Sequence, residues 1–171
     1  MLIKADVFQD ARGAFLESWN ARDFAAVGID ADFVQDNLSQ SSRHTLRGLH
    51  YQIEQAQGKL VRAVQGEVFD VVVDLRRSSP TFGRSLGMVL SDDNKDALWI
   101  PPGFAHGFLV MSETATFEYK CTDYYAPEHE RAIRWDDPDL GIEWPLPGDV
   151  VTNLSDKDAA APAFKDADTY P

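Results

Sequence analysis

The stretch Lys59-Leu60-Val61-Arg62-Ala63-Val64-Gln65-Gly66-Glu67-Val68-Phe69-Asp70-Val71-Val72-Val73-Asp74-Leu75 decides how the chain is built. It is dense in β-branched residues and interrupted once, at Gln65-Gly66-Glu67, which predicts two strands joined by a tight hairpin. Period-2 alternation puts Phe69, Val71, Val73 and Leu75 on one face of the second strand and Val68, Asp70, Val72 and Asp74 on the other. Asp70 therefore shares a largely apolar face, where a carboxylate needs a partner. Lys59 shares a face with Val61 and Ala63. A Lys59–Asp70 pair across the hairpin is one reading, and a surface ion pair is the other.

Working outward, β-rich runs recur at residues 86–90, 97–100, 104–111 and 115–122, separated by Gly, Pro, Asp and Asn. That rhythm is the one expected of a sandwich or barrel. Helical signals are few. Residues 20–28 begin with a capping Asn and end on Gly, and residues 155–161 form a short turn halted before Pro162. No strand alternates with a long helix, which argues against a doubly wound α/β fold. The expectation is an all-β, antiparallel sandwich or barrel with short peripheral helices. Without an internal repeat or linker, residues 1–171 read as one domain, with a proline-punctuated tail after Pro138.

Length and charge narrow the function. A chain of 171 residues is long enough to bury a core without disulfide or metal staples, and its single cysteine, Cys121, allows no intrachain disulfide. A net charge of −12 argues against binding nucleic-acid polymers or anionic membranes. The beginning of the sequence does not read as a signal peptide and no run is long enough for a membrane span, so the cytoplasm is the expected compartment. The charge is unevenly spread: residues 43–62 hold Arg43, Arg47, Lys59 and Arg62 against Glu54 alone, together with His44 and His50. Residues 123–171 carry 12 acids and 4 bases. A basic island in an acidic chain suits one small anionic ligand.

Alternation also groups candidate residues. Tyr119 shares a face with Ala115, Phe117 and Cys121, as a core aromatic whose hydroxyl has found a partner would. His106 shares a face with Phe108 and Val110, where a lone histidine is commonly structural. None of His44, His50, His106 and His129 stands in an HxH or HExxH arrangement, so the local signal for a metal site is absent.

Ten motifs then fall in one order along the chain. They are Gln35-Asp36-Asn37, Leu46-Arg47-Gly48-Leu49-His50-Tyr51-Gln52, Gln57-Gly58-Lys59-Leu60-Val61-Arg62, Gly66-Glu67-Val68-Phe69-Asp70-Val71 and Ser79-Pro80-Thr81-Phe82-Gly83. They continue as Trp99-Ile100-Pro101, Gly103-Phe104-Ala105-His106-Gly107-Phe108, Tyr119-Lys120, Asp123-Tyr124-Tyr125-Ala126-Pro127 and Leu154-Ser155-Asp156-Lys157-Asp158. Together they resemble the dTDP-4-dehydrorhamnose 3,5-epimerase family over nearly the whole chain.

The resemblance implies a cupin-type antiparallel jelly-roll β-sandwich, a homodimer, and an isomerase that needs no metal or other cofactor. It implies dTDP-4-dehydro-6-deoxy-D-glucose as substrate and dTDP-4-dehydro-L-rhamnose as product, inverted at C3 and C5, in dTDP-L-rhamnose biosynthesis. By the same resemblance His50 is the base, Tyr119 the proton donor, Asp158 the carboxylate that orients His50, and Lys59 the cation near the ketone. Nucleotide and sugar contacts fall on Arg12, Phe15, Glu17, Gln35, Asn37, Arg47, His106, Glu130 and Lys157, with Tyr125 stacking on thymine.

The residue types suit that chemistry. A proton beside a ketone is acidic only when the enolate is stabilised, which a lysine ammonium does electrostatically. Histidine titrates near neutrality and suits a base, and arginine engages diphosphate oxygens bidentately. Each residue also has a plainer reading: Ser155-x-x-Asp158 as a helix cap, Arg12 as a turn residue before Gly13, and Tyr125 as a packed edge aromatic. Three other activities share the motif set or fold: a monofunctional 3- or 5-epimerase, a metal-dependent cupin enzyme, and a non-catalytic nucleotide-sugar binding module.

Overall fold

A computed structural model describes residues 1–148 and 150–171. The elements are β1 (Leu2–Ile3), β2 (Val7–Asp10), β3 (Gly13–Leu16), α1 (Ala21–Ala26), β4 (Gln35–Ser42), β5 (Leu46–Gln52), β6 (Lys59–Gln65) and β7 (Glu67–Asp74). They continue with β8 (Ser85–Ser91), β9 (Ala97–Ile100), β10 (Phe104–Val110), β11 (Thr114–Cys121), β12 (Glu130–Ala132) and α2 (Asp156–Ala159). One five-stranded sheet has the order β1-β9-β6-β11-β4, and a second has β12-β5-β10-β7-β8. All their strand pairs are antiparallel. Val61, Ala63, Leu98 and Phe117 of the first sheet pack with Val68, Val72, Leu90 and Phe108 of the second, so the two sheets close face to face as the expected jelly-roll sandwich.

The expected hairpin does not form. β6 pairs with β9 and β11, whereas β7 pairs with β8 and β10 in the opposite sheet. Gly66 makes the corner between the sheets. Its φ is +74°, and a Cβ there would stand 2.2 Å from the Thr114 carbonyl oxygen, so glycine alone suits the position. Both strands present an apolar face to the same interior, which is satisfied better across two sheets than side by side in one. Lys59 and Asp70 consequently meet neither across a hairpin nor at the surface. They face the shared interior from opposite sheets, each within the other's electrostatic influence.

The outer face of the second sheet is covered by the tail. Leu49, Tyr51, Val71, Val73 and Leu75 pack under Ile133, Leu140, Phe164 and Tyr170. Tyr51 donates its hydroxyl to the Asp168 carbonyl, and Tyr170 donates to the Gln52 carbonyl at 2.5 Å. Buried Asp74 is a second anchor: Arg76 donates to it, and Ser79 and Thr81 donate hydroxyls at 2.6 and 2.7 Å. Burial pushes the Asp74 pKa up, but those bonds together hold it well below the usual carboxylate range. The motif Ser79-Pro80-Thr81-Phe82-Gly83 thus serves the fold.

Both expected helices exist. Asn20 caps α1 through the Arg22 and Asp23 amides, and Ser155 caps α2 through the Asp158 amide. No helix among the described residues is long and apolar enough to cross a membrane.

One close contact sets the register beneath the interior. Gly48 of β5 lies against Gly107 of β10, where a Cβ on Gly48 would come within 2.5 Å of the Gly107 Cα. A Cβ on Gly107 would stand 2.7 Å from the Arg47 carbonyl oxygen and 3.1 Å from the Gly48 Cα. This approach accompanies the pairing of His106 with His50 and a register shift before Phe108. Because the two nearest obstacles at Gly107 are backbone, with the Leu49 side chain next at 3.2 Å, Gly107→Ala should destabilise the protein by about 1–3 kcal/mol in chemical denaturation. An unchanged denaturation midpoint would show that β5 and β10 separate freely here.

Candidate active site

The interior between the sheets is apolar at one end and ionisable at the other. Phe108 and Phe117 stack at 4.3 Å, and His106 stacks on Phe117 at 6.0 Å. Beyond them a cavity of about 410 Å³ is lined by Arg47, His50, His106, Tyr119, Ser155 and Asp158, among others. Strand alternation puts them there: His50 lies on β5, His106 on the neighbouring β10, and Tyr119 on β11 of the facing sheet.

His50 Nε2 lies 2.5 Å from Asp158 Oδ1. An ionised carboxylate only accepts, so the Nε2 proton donates and Nδ1 is left as the basic ring nitrogen. Burial pushes the Asp158 pKa up, but the His50 hydrogen bond and charge, with the Ser155 bond, together hold it below the ordinary value. Ser155 both caps α2, accepting the Asp158 amide at 3.1 Å, and donates its hydroxyl to Asp158 Oδ2 at 2.9 Å. The helix cap and the carboxylate–imidazole contact are therefore not alternatives. The same four-residue turn makes both.

A second imidazole–carboxylate contact lies deeper, with His106 Nε2 at 2.8 Å from Asp70 Oδ2. Burial pushes the Asp70 pKa up, opposed by the charge and hydrogen bond of His106 and the charge of Lys59. Lys59 Nζ stands 6.0 Å from the centre of the Tyr119 ring. Burial pulls the Lys59 pKa down, opposed by Cys121, Asp70 and Glu130. Burial also raises the Tyr119 pKa, with Cys121 and Glu130 adding to it and Arg47 opposing, so the phenol is protonated at neutral pH. Arg47 spends Nε on the Ser41 hydroxyl at 3.0 Å and makes no ion pair among the described residues. Among those residues no three His, Cys, Asp or Glu side chains are grouped to hold a metal ion.

A family model described as dTDP-4-dehydrorhamnose 3,5-epimerase matches residues 1–166. The chain belongs to the dTDP-4-dehydrorhamnose 3,5-epimerase family. A Pseudomonas aeruginosa dTDP-4-dehydrorhamnose 3,5-epimerase is 60% identical over 172 residues, covering 100% of this chain and 94% of the relative. The crystal structure of a Legionella pneumophila 3,5-epimerase in complex with dTDP-4-keto-L-rhamnose superposes with a TM-score of 0.94 at 52% identity, covering 98% of this chain and 88% of that one. A 3'-monoepimerase from Streptomyces bikiniensis, in complex with dTDP-quinovose, superposes at a TM-score of 0.88 with 37% identity, covering 95% and 82%.

Other residues implied by the family likeness form a cluster beside the cavity wall. On β4, Gln35 donates to Asn37 Oδ1 at 3.0 Å, and Asn37, paired in register with Tyr119, donates to Cys121 Sγ at 3.5 Å. Tyr125 donates its hydroxyl to Glu130 at 2.7 Å, and Lys157 forms an ion pair with Glu130. Burial pushes the Glu130 pKa up, and the Lys157 and Tyr125 bonds outweigh it to hold the pKa low.

Arg12, Phe15 and Glu17 are not brought to this cavity by their own chain. Arg12 and Phe15 belong to the β2–β3 hairpin, whose outward residues include Phe8 at 65% and Phe15 at 70% exposure. Arg12 pairs with Asp10 in that turn. Sequence reasoning missed the Asp70–His106 contact and the hydroxyl bond from Ser155 to the Asp158 carboxylate. Asp70 carried a signal, a carboxylate on an apolar face, but its partner depends on strand register across β7 and β10.

Proposed function

We propose that the cavity takes dTDP-4-dehydro-6-deoxy-D-glucose and inverts it at C3 and C5, with His50 as base and Tyr119 as acid. The observation that carries this reading is the meeting of the Asp158-bound His50 and the protonated Tyr119 in one cavity. His50 Nδ1 takes the proton beside the ketone, and the electron pair of the broken C–H bond moves onto the carbonyl oxygen. The Lys59 ammonium stabilises that enolate electrostatically. The enolate then collapses to the ketone as carbon takes a proton from the Tyr119 hydroxyl on the opposite face. Exchange with water restores the phenol and the imidazole, and the cycle repeats at the other carbon. Asp158 stays ionised throughout, holding the imidazole tautomer and stabilising its protonated form.

Arg47, exposed at the cavity and without an ion pair among the described residues, engages the diphosphate bidentately. Tyr125 stacks on thymine, with Glu130 and Lys157 beside it. The working unit is a homodimer in which the β2–β3 hairpin of a second copy brings Arg12, Phe15 and Glu17 to the site. Two features support that arrangement: the apolar exposure of Phe8, Phe15 and Leu38, and the absence of Arg12, Phe15 and Glu17 from the lining of their own chain's cavity.

In deuterated water, turnover of the keto-sugar should place label at both C3 and C5, read by NMR. Label at one carbon only would mark a monofunctional epimerase. His50→Ala should slow exchange at both carbons by on the order of 10²–10⁴-fold, and near-normal exchange would remove it as base. Tyr119→Phe should impair inversion more than proton loss.

Since burial lowers the Lys59 pKa from its ordinary value, raising the pH should deprotonate Lys59 and remove activity before the ordinary lysine value is reached. A kcat/KM profile, which reports the free enzyme, should therefore fall below the ordinary lysine pKa of about 10.4. A limb at or above that value would remove Lys59 as the cation.

Mixing inactive His50→Ala chains with impaired Arg12→Ala chains should restore activity, because mixed dimers hold one site with both residues intact. No recovery after subunit exchange, verified by tagged chains, would refute the shared site.

A further inference from the structure

Tyr125 is 53% exposed, an unusual position for a ring that has to meet its ligand in one orientation. Its hydroxyl donates to Glu130 at 2.7 Å, and the remaining groups that hold it bind its backbone. The peptide before Tyr125 gives its N–H to Gln35 Oε1 at 2.9 Å, while its carbonyl, that of Tyr124, accepts from Gln52 Nε2 at 3.2 Å. The peptide after Tyr125 gives its N–H, that of Ala126, to Gln52 Oε1 at 2.9 Å. A single carboxamide therefore binds both peptide planes that flank the ring. It also donates to the Gln55 carbonyl at 2.8 Å, so both amide hydrogens and the amide oxygen are used.

Gln52 is 4% exposed, lies two residues after His50, and pairs in register with Glu130, the acceptor of the Tyr125 hydroxyl. Its own carbonyl is held by the Tyr170 hydroxyl. A buried carboxamide with every group satisfied resists movement, because each displaced bond leaves an unpaired polar group out of water.

We propose that Gln52 is the positioning residue for the nucleobase subsite, fixing the Tyr124–Ala126 backbone so that the Tyr125 ring is preset to stack on the base. The inference rests on the stacking role assigned to Tyr125 above and adds the device that orients it. Presetting an exposed ring removes an ordering cost that binding would otherwise carry. Gln52 is not among the residues that line the cavity holding His50 and Tyr119, so its effect belongs to affinity and not to the chemical step.

The test compares Gln52→Glu with the unmodified full-length protein, using dTDP as the binding probe and the dTDP-keto-sugar as substrate. The substitution keeps the shape but replaces the donor NH2 by an oxygen that faces two carbonyls. The Kd for dTDP and the KM should both rise about tenfold, with kcat within about twofold, as expected for a weakened base stack. A fall in kcat at unchanged KM and Kd would overturn the proposal and show that Gln52 serves the His50 strand instead. Tyr125→Ala should weaken dTDP by itself, and adding Gln52→Glu should then cost nothing more. Additive losses would overturn the proposal. If Tyr125→Ala leaves the Kd unchanged, the stacking role itself fails, by a result independent of any Gln52 variant. Should Gln52→Glu not fold, amide exchange in the wild-type protein decides: the Ala126 N–H should be protected without ligand, and exchange at the rate of an unstructured peptide would overturn the proposal.

Discussion

Charge buried between two β-sheets is the constraint from which the rest of this molecule follows. Sheets packed about 10 Å apart leave room for side chains but little for water. Phe108 and Phe117 fill one part of that space without difficulty. Lys59, Asp70, His106 and Tyr119 occupy the other, and an ionised group there costs several kcal/mol unless it is paired. The pairing is distributed over both sheets: Asp70 of β7 answers His106 of β10, and Lys59 of β6 lies among Cys121, Asp70 and Glu130. No single strand is able to satisfy its own polar residue. The sheets must close on each other for the interior to be tolerable at all, and the closed interior holds the cavity lined by His50, His106 and Tyr119.

The pattern of faces was legible in the sequence because alternation is a local property. Val68, Asp70 and Val72 point inward together, as do Val61 and Ala63, and Phe117 with Tyr119. The partners of those strands were not legible. Gln65-Gly66-Glu67 serves equally as a hairpin tip or as a corner between sheets, and the choice is made by β9 and β11, far along the chain. β4 escaped notice for another reason. As an edge strand its sequence Gln35-Asp36-Asn37-Leu38-Ser39-Gln40 is mostly polar, with no apolar face to count.

The site shows the same division. The motif around His50 and the acid on α2 were both visible, yet only the three-dimensional contact shows that Ser155 caps the helix and bonds the Asp158 carboxylate at once. Short-range reasoning offered these as competitors because it weighs one role per side chain. A hydroxyl has both a donor and acceptor lone pairs, and here both are used. The remoteness of Arg12, Phe15 and Glu17 from the cavity was equally invisible, since a hairpin that folds outward has the same alternation as one that folds in.

His50 and Asp158 are separated by 108 residues, which has a bearing on how the protein comes into being. Closing so long a loop is entropically costly and is repaid only once the strands between them are assembled. A nascent chain emerging from the ribosome can raise most of both sheets while its imidazole still lacks the carboxylate that fixes its tautomer. Docking of one short, late-synthesised helical turn then completes the pair. The imidazole–carboxylate contact is thus acquired near the end of assembly, and a partly built chain lacks it.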